Sequence, residues 1–158
     1  MTSDTARMNT AQEKAWQSLV AVSHRLPAVL DEQLLEEAGL IHFEYAVLKA
    51  LELTPDQTVR MRALARSTGS TAPRLSKAIS RLERRGLVER VSCAQDGRGV
   101  NIRLTAAGED TLRAATPPYI ELACDTIFAG LSEDELADLA RMLDHIDARL
   151  SPAGAGES

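Results

Sequence analysis

Apolar residues recur at helical spacing from Ala11 to about Glu37, through Trp16, Leu19, Val20, Leu26, Leu30, Leu34 and Leu35. Pro27 inside this run predicts a kink or break, and Gly39 ends it. A second helix is predicted over 42–53, with Phe43, Val47, Leu48 and Leu51 on one side. Thr54-Pro55-Asp56 is a turn, and a short helix over 61–67 stops at Gly69. Thr71 then suits an N-cap and Pro73 a first helical turn. Leu75, Ile79 and Leu82 form an apolar stripe, with Arg74, Ser76, Lys77, Ser80, Arg81, Arg84 and Arg85 on the other faces. Gly86 closes this helix.

The period then changes from helical to alternating. Residues 87–92 and 100–104 alternate apolar with polar side chains, and Asp96-Gly97-Arg98-Gly99 between them marks a turn. Two antiparallel strands are expected. Thr105 caps a further helix reaching about Ala129, with an interruption expected at Pro117-Pro118. Ser132-Glu133-Asp134-Glu135 is a capping box, opening a helix with Leu136, Leu139, Leu143, Ile146 and Leu150 on its apolar side. Residues 1–10 are polar and are expected to be a disordered tail, and residues 151–158 are expected to be a tail.

Composition narrows the function class. The chain has 158 residues, 44% apolar and 26% charged, which suits one folded domain and excludes wholesale disorder. It contains no apolar run long enough to cross a membrane, and MTSDTARMNT lacks a signal-peptide pattern, so a cytoplasmic location is expected. Two cysteines, Cys93 and Cys124, have no metal or redox spacing, and His24, His42 and His145 are far apart. No metal site and no cofactor are expected. A nucleophile elbow, a phosphate loop and a dinucleotide fingerprint are all missing, so the chain is not expected to be an enzyme.

Charge is unevenly distributed along the chain. The formal net charge is −5, yet residues 60–103 carry eleven basic and three acidic side chains, a net of +8. The rest of the chain carries −13. Ten of the eleven basic residues are Arg, which suits bidentate contacts to phosphate and guanine. A cationic middle between anionic arms points to a polyanion partner.

Short helix, turn, cationic helix and hairpin, in that order, make a helix-turn-helix followed by a β-wing. A cationic helix fits the major groove, and an arginine at a hairpin tip reaches the adjacent minor groove. Asp96-Gly97-Arg98, continued to Leu104-Thr105-Ala106-Ala107-Gly108, fits a D-x-R…L-T-x-x-G pattern. Together with Leu40–Leu48 and Arg81–Arg90, it resembles the MarR family of winged-helix regulators over residues 12–149. Ile41 stands where the family has a capping threonine, and Pro73-Arg74 alters the side chains at the recognition-helix start. The expected fold is mainly α with a small β-hairpin wing: a winged helix-turn-helix lobe (40–105) on a helical dimerisation region (11–37 and 106–150).

The resemblance implies a homodimeric repressor that binds a pseudo-palindromic double-stranded operator and responds to a small aromatic or anionic effector. Candidate DNA-binding residues are Ser70, Thr71, Arg74, Ser76, Lys77, Arg81 and Arg98, with Asp96, Gly97 and Gly99 shaping the wing. Candidate pocket residues are Trp16, His24, Phe43, Tyr45 and Arg90. Two alternatives stay open: a redox-responsive regulator using Cys93, whose thiol has Arg90 nearby, and a winged-helix protein-interaction module. Cys124 is expected to be buried and inert.

Overall fold

The computed structural model describes residues 7–92 and 99–150. Helix α1 spans Thr10–Ala38 without a break at Pro27. Ser23 is exposed, so the carbonyl that Pro27 leaves without its N–H partner is open to water. The helix also begins earlier than the apolar pattern indicates. Asn9 Oδ1 accepts from the Gln12 N–H at 2.9 Å and Gln12 Oε1 accepts from the Asn9 N–H at 2.9 Å, a reciprocal cap that places Thr10 in the helix rather than in a polar tail.

Helix α2 follows over His42–Glu52, α3 over Met61–Ser67 and α4 over Ala72–Arg84. Strand β2 covers Val88–Ser92 and β3 covers Val100–Leu104. A third strand, β1, covers Thr58–Arg60 and corrects the two-stranded expectation. The sheet is antiparallel in the order β1-β3-β2, with Val59 opposite Ile102 and Arg90 also opposite Ile102. Val59, Ile102 and Val88 turn one face of this small sheet toward the helices.

The core lies between α2, α3, α4 and that face. Leu48, Leu51, Leu64, Leu75, Ile79, Leu82, Ile102 and Leu112 are wholly buried within it. Burying each such side chain contributes roughly 1.5–3 kcal/mol, so the apolar stripe of α4 fixes that helix by one side and leaves the other to solvent. The end of α4 is a Schellman motif: Gly86 is left-handed (φ 73°), its N–H donates to Glu83 O, and the Leu87 N–H donates to Leu82 O.

Helix α5 spans Ala106–Leu122 and passes through Pro117-Pro118, against expectation. Arg113 and Ala114, whose carbonyls lose their partners, are exposed to water. The start of α5 is a tight joint. Thr105 Oγ1 donates to Gly86 O at 2.6 Å and accepts from the Gly108 N–H at 3.1 Å, while the Thr105 N–H donates to Leu87 O at 3.2 Å.

The chain divides into two compact units, Met1–Tyr119 and Ile120–Ser158. In the second, the end of α5 leads into a π-helical turn at Ala123–Ile127, and α6 spans Glu133–Leu150. The Ser132 capping box forms: Glu135 Oε2 accepts from the Ser132 N–H at 2.8 Å, and Ser132 Oγ accepts from the Glu135 N–H at 3.3 Å. The Ser132 N–H and the Ser132 hydroxyl, which donates to Glu135 Oε2 at 3.0 Å, together hold the Glu135 carboxyl below its ordinary range. Cys124 is exposed, not buried, because the turn that carries it is itself largely exposed. No described helix is long and apolar enough to cross a membrane.

Candidate nucleic-acid interface

Helices α3 and α4, joined by the Gly69 turn, form the helix-turn-helix, and α4 presents its polar side outward. Thr71 caps it, Oγ1 accepting from the Arg74 N–H at 3.4 Å. Thr71, Arg74, Ser76, Lys77, Arg81 and Arg84 are all exposed. Ser76, Lys77, Ser80, Arg81 and Arg84 line a single open groove along this helix. Ser70 lies half-buried in the turn, its hydroxyl 3.1 Å from that of Thr68. Asp96, Gly97, Arg98 and Cys93 lie outside the described residues, while Gly99 leads directly into β3.

The cations of this lobe divide by what they touch. Lys77 makes no ion pair or hydrogen bond among the described residues. Arg90 pairs with Glu83 and reaches Ser80 Oγ at 3.2 Å, and Arg103 Nε donates to Glu89 at 2.8 Å. Arg85 is bound to backbone: its guanidinium donates to Gly39 O at 2.7 Å and Ala38 O at 2.9 Å, at the carboxyl end of α1. Arg74 lies 4.2 Å from the centroid of the Phe43 ring. Arg81 Nε is ion-paired with Glu44 Oε1 at 2.8 Å.

Glu44 is the site residue that the apolar pattern hides. It is the one charged side chain buried among the described residues, on the same α2 stripe as Leu48 and Leu51. A carboxylate on a core stripe is the available signal, since burial of that kind demands a partner. The start of α2 also replaces the missing capping threonine: Glu44 Oε2 accepts from the Ile41 N–H at 3.1 Å and Asp31 Oδ1 from the His42 N–H at 2.6 Å.

The five pocket candidates occupy different surroundings. Trp16 and His24 are exposed on α1, and Arg90 is tied to Glu83 on the wing side. Phe43 underlies Arg74, and Tyr45 is in the core, stacked on Tyr119 at 4.4 Å with its hydroxyl 3.2 Å from Thr116 Oγ1. Tyr119 also lies parallel to the His42 ring at 6.0 Å. Burial pushes the His42 imidazole below its ordinary value against the pull of Asp31, with Arg74 adding to the fall. The His42 Nδ1 atom is buried without a partner among the described residues.

Known proteins share this architecture. The sequence model of the MarR family matches residues 39–99. Sco3205, a MarR family transcriptional regulator from Streptomyces coelicolor solved in complex with DNA, is 30% identical over 97% of this chain and 96% of its own, with a TM-score of 0.89. The chain belongs to the MarR family. AbsC, a MarR family regulator from the same organism, is 29% identical over 92% of this chain and 98% of its own, at a TM-score of 0.83. BldR from Sulfolobus solfataricus shares the fold at a TM-score of 0.76, with 21% identity over 90% of this chain and 99% of its own. As a MarR family member the chain is a DNA-binding transcriptional regulator of winged helix-turn-helix type, not an enzyme.

Proposed function

We propose that this MarR family protein is a homodimeric repressor that recognises a pseudo-palindromic double-stranded operator. The open cationic face of α4 carries the proposal: Ser76, Lys77, Arg81 and Arg84 line one groove on a helix whose opposite side is locked into the core. The similarity to Sco3205, which was solved with DNA, supports the same partner here. In this reading Ser70, Thr71, Arg74, Ser76, Lys77 and Arg81 face the major groove and Arg98 the minor groove.

Dimerisation through residues 11–37 and 106–150 is supported by apolar side chains that the single chain leaves uncovered. Trp16, Val22 and Leu35 on α1 are each more than half exposed, and no residue of α6 is buried, Met142, Leu143 and Leu150 included. Two-fold pairing would set the recognition helices about 34 Å apart, one helical turn of the duplex. Response to a small aromatic or anionic effector rests on the family resemblance, and displacement of the protein from DNA by an aromatic carboxylate tests it.

The direct test is a mobility-shift titration with the duplex upstream of the protein's own gene. Saturable binding by a dimer, out-competing unrelated duplex, is expected. A protein that binds both fragments equally would contradict sequence recognition.

A further inference from the structure

Glu44 stands in an unexpected place for a DNA-binding lobe. A carboxylate beside the recognition helix repels phosphate, and this one is also withdrawn from water, with its side chain only 6% exposed. Both of its oxygens are occupied. Oε1 holds Arg81 Nε at 2.8 Å, and Oε2 accepts from the Ile41 N–H at 3.1 Å, so the carboxylate cannot rotate without losing a partner. It is thereby anchored to the first turn of α2, whose neighbouring residue, Phe43, lies under Arg74.

Arg81 is held only at its inner edge. Its side chain remains 47% exposed and lines the groove shared with Ser76, Lys77, Ser80 and Arg84. Its two terminal nitrogens make no hydrogen bond among the described residues. A guanidinium ion-paired on its Nε side leaves those nitrogens to act as a fork, the geometry that matches a phosphate or a guanine edge. An arginine without a partner would lose its rotamer freedom on binding; one already drawn to a carboxylate has less left to lose.

We propose that Glu44 is a positioning residue for duplex recognition, which fixes Arg81 so that its outer guanidinium edge is presented to DNA. The inference rests on the DNA-binding reading above. Two effects of Glu44 then oppose each other: its charge weakens attraction to any duplex, while its hold on Arg81 strengthens binding to the correct one.

Fluorescence anisotropy with the full chain separates them, using the upstream duplex and an unrelated duplex of equal length. Glu44→Gln should weaken operator binding about tenfold and leave unrelated-duplex binding equal or tighter. Arg81→Ala should weaken both, and the double variant should bind the operator no more weakly than Arg81→Ala alone. Arg81→Lys, which keeps the charge and loses the fork, should reproduce the Glu44→Gln loss if that variant proves poorly folded by circular dichroism. Wild-type operator affinity in folded Glu44→Gln, in Arg81→Lys, or additive losses in the double variant, would overturn the proposal. Failure of the wild-type protein to bind any duplex would instead remove the DNA-binding reading on which it stands.

Discussion

Gly108 sits directly against the backbone of Leu87: a Cβ built on Gly108 would lie 2.1 Å from Leu87 O and 2.6 Å from Leu104 Cδ1. The last residue of the L-T-x-x-G pattern is therefore a steric requirement of the joint between β3, α5 and the start of β2. Gly108→Ala should destabilise the protein by about 3 kcal/mol, at the upper end of ordinary overpacking, because one of the atoms to be displaced is backbone. Urea unfolding of the two proteins measures this, and an unchanged midpoint would show that the joint yields.

Thr105 closes the same joint with its hydroxyl. Thr105→Val keeps the shape and removes both the bond to Gly86 O and the cap on the Gly108 N–H. A loss of about 1–2 kcal/mol is expected, since one cap and one hydrogen bond disappear together. The thermal midpoint should fall accordingly.

Arg85 belongs to the basic stretch by sequence and to the scaffold by geometry, because its guanidinium binds the last carbonyls of α1. Arg85→Met should cost about 1 kcal/mol of stability, discounted for its exposure. The dependence of DNA binding on salt should stay as steep as in the wild type, since no phosphate contact is removed. A shallower salt slope would place Arg85 on the DNA instead.

His42 makes stability pH-dependent. Burial lowers its imidazole below the ordinary value of about 6.5, so the unfolded chain binds a proton that the folded chain refuses in that window. Stability is then complete above about pH 6.5 and declines as the pH falls toward the lowered value. His42→Phe retains a ring against Tyr119 and should flatten this decline when urea midpoints are compared across the window.

Much of the fold was legible because its signals are local. The caps at Thr71 and Ser132 and the stops at Gly69 and Gly86 bound helices where the spacing of Leu75, Ile79 and Leu82 or of Leu136, Leu139 and Leu143 demands them. What escaped is what depends on partners distant in sequence. Strand β1 is three residues long, too short for periodicity, and exists through pairing with β3. The two proline sites read as breaks because a single sequence does not show which carbonyls face water. The division of the arginines into those bound to Glu44, Phe43 or the end of α1 is likewise set by tertiary contact, while the charge total over 60–103 treats them alike.

In the proposed function the cationic face of α4 binds a duplex as one half of a two-fold dimer. Sedimentation of the full chain with labelled upstream duplex, repeated from about 50 to 200 mM salt, tests it most directly. Two chains per duplex are expected, with affinity falling steeply as salt rises and with Lys77→Ala lowering that slope by about one counterion. A monomer at all concentrations, or binding indifferent to salt and to Lys77, would rule out this mode of binding.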